Sequence, residues 1–286
     1  MVTQHVTLMI TSTFYDMFAE YYYFITEIFP YLKEFCAKHD IILYYRDVAF
    51  SLLNDYSDKS IILDDFRSID FDRTFFICFR GHKLGWKPNY KNVNELTIDE
   101  YPEIVKFVGN VSITELSIMH ALLPFDKYEN DELEELSPVK HALFYFRDGK
   151  FLDDLSKIQK MFYTNMGDYD NKPVNDMEIA KAKDLIHEVK RDYDKQDKSD
   201  IKIRYYNGKW NKNLDGHETF LKYADEYSRL TNMNLDMFIK THEINMCYDY
   251  NGCLDDLEYE GEPLKQVIIG DIIEGLKAEF PENFNQ

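Results

Sequence analysis

Three stretches of this sequence combine reactive side chains with the turns a ligand site needs. Ser12, Thr13 and Phe14 follow a short β-rich run, Val6 to Ile10. Hydroxyls at the end of such a strand could hold a phosphate or a ribose, and Phe14 could stack on a base. Gly81, Gly85 and Trp86 follow the apolar run Arg73 to Arg80. Glycine permits close approach of a ligand, and Trp86 offers a stacking platform. Glu115 then stands near the start of a helical stretch. A carboxylate beside a ribose carbon stabilises the positive charge that develops when a glycosidic bond breaks. Each group also has a plain structural reading. Thr13 or Asp16 can cap a helix, Trp86 can close the core like a lid, and Glu115 suits a helix start through the macrodipole.

Other chemistries fit less well. His242, Cys247 and Cys253 invite a zinc reading, but five residues separate the cysteines instead of the usual two to four. There is no G-x-S-x-G elbow and no Walker motif. Tyr21, Tyr22 and Tyr23 read as one turn of amphipathic helix surface.

The elements that must position these groups follow from the hydrophobic pattern. Strands are expected at Val6–Ile10, Ile41–Val48, Arg73–Arg80, His141–Phe146 and Ile201–Tyr206. Helices are expected over Asp16–His39, bent or divided near Phe29 by Pro30, and over Lys59–Ile69, Asp99–Val108, Ile113–Leu123, Phe151–Phe162, Val174–Tyr193, Glu218–Tyr227 and Leu264–Leu276. Strands alternating with helices predict an α/β fold, a doubly wound five-stranded parallel sheet in the order 2-1-3-4-5. The chain reads as a single domain, residues 1–286, with insertions near 124–138 and 211–260 that enlarge its C-terminal half. The acidic stretch Asp126 to Glu135 reads as a solvated insertion.

The segment Ile10 to Leu32, ITSTFYDMFAEYYYFITEIFPYL, resembles a TIR-like N-terminal domain of unknown function that precedes NACHT or other STAND-type NTPase modules. The family pattern is roughly S-S-T-F-x-D-M-x-x-E-R, then F-P-x-L. Ser12, Thr13, Phe14, Asp16, Met17, Glu20, Phe29, Pro30 and Leu32 match it. Phe75 to Pro88 (FFICFRGHKLGWKP), Ser112 to Met119 (SITELSIM) and Ala142 to Asp148 (ALFYFRD) are similar to the family's next three motifs, in the same order. Departures occur at Tyr15 and Tyr21, where the pattern has arginines, and after Asp47, where its D-L-R-W-G becomes Asp47-Val48-Ala49-Phe50-Ser51.

The resemblance implies a flavodoxin-like, TIR-like fold and an effector or signalling role in immune or anti-phage defence. In its enzymatic version the chain is an NAD glycohydrolase, with NAD as substrate and no bound cofactor. Glu115 is then catalytic, and Ser12, Thr13, Phe14, Asp47, Gly81 and Trp86 form the ligand set. In the alternative version the chain is a non-enzymatic module that associates with itself or with a STAND/NACHT-type partner. Its contact surfaces are then the loops Val48–Ser57 and Gly81–Tyr90.

Composition narrows the partners. The formal net charge is -19, from 52 acidic and 33 basic residues, spread over both halves of the chain. Such a field repels nucleic acid and anionic membrane surfaces. No apolar run approaches a membrane span, and the first residues lack the pattern of a signal peptide. The 45 aromatic residues argue for a packed core. Cys36 and Cys78 fall in helical and apolar patterns, which fits buried thiols in a reducing cytoplasm.

Overall fold

The computed structural model describes residues 2–13, 15–47, 61–123, 139–164, 172–194, 200–246 and 252–285. Strand β1 (Gln4–Thr11) is followed by a single turn at Tyr15–Met17, then α1 (Phe18–Tyr23), a wide π turn (Phe24–Ile28) and α2 (Phe29–Ala37). Pro30 lies in the first turn of α2, where its missing N–H forfeits no hydrogen bond. The backbone nevertheless stays helical from Phe18 to Ala37, and the irregularity expected near Phe29 takes the form of the wide turn that precedes it. Next come β2 (Ile41–Asp47), α3 (Ile61–Arg67), β3 (Thr74–Arg80), α4 (Glu95–Glu100), a 3-10 segment (Pro102–Lys106) and α5 (Ile113–Leu122). The second half contains β4 (His141–Arg147), a 3-10 segment (Lys150–Asp154), α6 (Lys157–Tyr163), α7 (Lys172–Asp194) and β5 (Asp200–Asn211). It continues with α8 (Gly216–Thr231), α9 (Leu235–Met246), β6 (Cys253–Tyr259), β7 (Glu262–Pro263), α10 (Leu264–Glu279) and α11 (Pro281–Phe284).

The strands form one sheet in the order β2-β1-β3-β4-β5-β6-β7. The first five are parallel and follow the expected 2-1-3-4-5 order, with β1 between β2 and β3. This is an α/β, flavodoxin-like arrangement. The sheet is wider than expected: β6 and β7 extend it antiparallel beyond β5, whose own length runs past Tyr206 to Asn211. The described parts of the stretch 211–260 are thus built into the sheet and its flanking helices. The insertion expected at 124–138 lies outside the described residues.

Alternation along β3 and β4 supplies both faces of the core. Phe75, Ile77, Phe79, Leu143 and Tyr145 pack toward α1, α2, α8 and α10. Phe76, Cys78, Ala142, Phe144 and Phe146 pack toward α5 and α7. Cys36 and Cys78 are buried free thiols, as is Cys253. The helix expected over Asp99–Val108 is instead α4 and a 3-10 segment, because Pro102 opens the second piece and cannot donate to the first. Among the described residues no helix is long and apolar enough to cross a membrane.

Candidate functional site

The C-terminal ends of β1, β3 and β4 carry most of the residues singled out above. In an open α/β sheet this edge, where the strand order reverses, is where ligands bind. Arg80 ends β3 and Arg147 ends β4, and both side chains are buried. Strand alternation sends them to opposite faces.

On the α1 face, Arg147 Nη1 donates to both oxygens of Glu20, at 2.8 and 3.1 Å. Its Nη2 donates to the backbone oxygen of Asp16 at 2.6 Å. The Tyr206 hydroxyl donates to Glu20 Oε1 at 2.6 Å. The rings of Phe151 and Tyr163 lie 4.9 and 5.4 Å from the guanidinium. Burial works against the Arg147 charge, but Glu20, Tyr206 and Asp16 hold its pKa above the usual range. Asp16 is fully buried, and neither of its carboxyl oxygens has a well-formed hydrogen bond. Burial pushes its pKa up, against the pull of Arg147, Lys83 and the Thr13 hydroxyl.

Gly81 is what lets β3 approach this cluster. A Cβ at that position would sit 2.6 Å from Asp16 Oδ2 and 2.9 Å from Arg147 Nη2. The glycine is required for close packing within the protein.

On the α5 face, Arg80 Nη2 meets Glu115 Oε1 at 2.5 Å. Glu115 Oε2 accepts from the Ser112 backbone N–H at 2.8 Å and from the Ser112 hydroxyl at 2.7 Å. Ser112 and Glu115 also form a reciprocal capping box, since Ser112 Oγ accepts from the Glu115 N–H. Arg80 Nε and Nη1 have no hydrogen-bond partner. Glu115 lines a cavity of about 280 Å³ between α5 and α7, with Ile118, Met119, Ala182 and Leu185 among its walls. That cavity's walls include none of Ser12, Thr13, Asp47, Gly81 and Trp86.

The remaining expected ligand residues are placed as follows. Ser12 Oγ donates to the Phe79 carbonyl at 2.7 Å and ties β1 to β3. Thr13 lies beside Asp16 and against Gly85. Phe14 lies outside the described residues. Asp47 ends β2 and accepts from Tyr45 at 2.8 Å and from Tyr21 at 3.4 Å. Trp86 packs on the apolar cluster of α3, α4 and α5, and its carbonyl accepts from the Ile113 N–H. The structure therefore brings Thr13, Asp16, Gly81 and Arg147 together, and separately Arg80, Ser112 and Glu115. Asp47 belongs to a third group, with tyrosines. Tyr21 is a correction: it is fully buried, not helix surface, because it reaches under the sheet end to Asp47.

Sequence reasoning missed the roles of Arg80, Arg147 and Glu20. An arginine closing an apolar strand is itself a signal, because a buried cation needs a buried anion. The S-x-x-E spacing of Ser112 and Glu115 is likewise a legible capping box. Cys247 lies outside the described residues, as does the side chain of His242. Among the described residues no group of three or more His, Cys, Asp or Glu is arranged to hold a metal.

Comparison with known proteins adds a limited likeness. No family model matches the chain, and no solved structure matches it. The chain is similar to a TPR repeat-containing protein of Dictyostelium discoideum, with 23% identity over 173 residues, or 57% of this chain. The matched part covers 10% of that protein's length.

Proposed function

We propose that this chain is a TIR-like effector or signalling domain that acts in the cytoplasm by protein association, with itself or with a STAND/NACHT-type partner. The observation that carries this reading is the surface that follows β3. Tyr90, Leu96 and Val105 expose large apolar side chains there, at 61%, 57% and 37%. The Tyr90 hydroxyl donates to the Val105 carbonyl at 3.1 Å, so two of the three are neighbours. Grouped apolar exposure on a strongly acidic protein suits a contact surface. Tyr90 is the last residue of the loop Gly81–Tyr90 that the sequence assigns to partner contact, and Leu96 and Val105 follow it in the chain. The other such loop, Val48–Ser57, lies outside the described residues.

The state of Glu115 also supports association over catalysis. Its carboxylate is neutralised by Arg80 and engaged at both oxygens, so little of its charge is free to meet a developing cation. The NAD glycohydrolase version rests on one specific feature, the cavity that Glu115 lines.

Two measurements test the choice. Sedimentation over a range of protein concentration should show self-association that weakens in Tyr90→Ser and Leu96→Ser, with melting temperatures within a few degrees of wild type. NAD consumption should be absent in the wild type. Turnover that is lost in Glu115→Gln would instead favour the enzymatic version.

A further inference from the structure

We infer that the cavity between α5 and α7 is a binding site for a small neutral aromatic molecule carrying one hydrogen-bond donor. The site is separate from the association surface, and the inference does not depend on that reading.

Size comes first. An apolar cavity of roughly 150 Å³ holds benzene. The pocket here, about 280 Å³ and open to solvent on one side, has room for a substituted ring. Val111, Ile118, Met119, Ala182 and Leu185 offer an apolar and partly polarisable lining, and Asn110 and Lys181 add polar groups beside Glu115. An apolar lining of this kind favours a largely apolar guest.

The polar end defines the guest's head group. Glu115 is 5% exposed and lines the cavity. A carboxylate accepts about four hydrogen bonds. Ser112 supplies two to Oε2, and Arg80 supplies one to Oε1. One acceptor position remains, and it is on Oε1. A guest O–H or N–H satisfies it. The charge around that position selects against ions of either sign. An anionic head has no proton to give Glu115 Oε1, while a cationic head would meet Lys181 on the cavity wall. A neutral donor avoids both drawbacks.

Saturation-transfer NMR titrations of the purified chain test this with phenol, indole, toluene and benzoate. Phenol and indole should give saturable binding in the millimolar range or tighter. Toluene, which lacks the donor, should bind at least fivefold more weakly, and benzoate should not saturate. Filling the cavity in Ala182→Phe should weaken phenol at least tenfold while the melting temperature stays within a few degrees. Ala182→Met serves if the larger substitution unfolds the chain. Hydrogen exchange provides an arm without substitutions: indole should slow exchange in peptides spanning 111–122 and 179–189. Failure of both phenol and indole to saturate would overturn the inference. So would toluene binding equal to phenol, tighter binding of benzoate, undiminished binding in a folded cavity-filling variant, or protection confined to other peptides.

Discussion

Arg147 and Arg80 end neighbouring strands, point to opposite faces, and each meets a glutamate from a helix. Their surroundings differ in one respect that matters. Around Arg147 only Nε lacks an acceptor: Glu20, the Asp16 carbonyl and the Asp16 carboxyl crowd the other two nitrogens, with two rings over the guanidinium. Around Arg80 donors are in excess, because two of its N–H groups lack acceptors while Glu115 divides itself between the arginine and a helix cap. The first arrangement satisfies both terminal nitrogens of its arginine and ties β4, β5 and α1 together. The second places Glu115, with one acceptor position open, on the wall of a cavity. Buried ion pairs of similar composition can thus serve as frame or as site, according to what remains unspent at each end.

Breaking each pair should expose the difference. Arg147→Met strands Glu20 in a dry interior and should cost about 3–5 kcal/mol, the usual penalty for an uncompensated buried charge. Arg80→Met leaves Glu115 its two Ser112 donors and should cost less, about 1–3 kcal/mol. Urea unfolding of both variants checks this, and equal losses would erase the distinction. Gly81→Ala inserts a methyl against Asp16 and Arg147. It should cost about 1–3 kcal/mol by overpacking, and the loss should shrink when it is combined with Asp16→Ala, a coupling that a double-mutant cycle measures.

Smaller effects sharpen the contrast. Ser112→Ala removes the cap donor and acceptor from the α5 pair and should cost about 1 kcal/mol of stability, read from the denaturation midpoint. The least is expected from Asp16→Asn, and its signature is the dependence on pH. The folded state raises the Asp16 pKa, so this residue's favourable contribution is complete below the unfolded carboxyl value of about 3.9 and is lost as pH rises through the folded value. The asparagine variant, which stays neutral, should therefore gain on the wild type as pH rises. Below about pH 3.9 the gap between the two melting curves should become constant. A gap that widens toward acid would mean that Arg147 keeps Asp16 ionised.

The parallel core was legible because β1 to β4 are short, strongly apolar runs separated by helical spacing. The run Phe75–Phe79 could hardly be anything but a central strand. The pieces that escaped lie where polar residues mask the period. In β6, CLDDLEY, acidic side chains occupy the exposed positions and the φ of Asp256 is positive, so neither strand alternation nor composition marks it. The candidate site was legible only in part: Thr13, Gly81 and Glu115 stand in the two clusters, while the arginines and the pairings went unread. Glu20 and Arg147 are 127 positions apart, and nothing local tells a strand-end arginine which helix will answer it. Glu115 illustrates the reverse. Its local cap was written in the Ser112 spacing, while its long-range partner, Arg80, decides how much of its charge is left for a ligand.

The β6–β7 extension has a consequence for how this protein behaves in crowded solution. The sheet ends at Glu262–Pro263, a paired segment of two residues in which one has no N–H to offer. Glu258, Glu260 and Glu262 surround that end with negative charge. Strand-by-strand growth, the route by which open sheets coalesce into fibrils, is therefore stopped at this margin by both geometry and charge. The segment that widens the fold also closes it to further addition there.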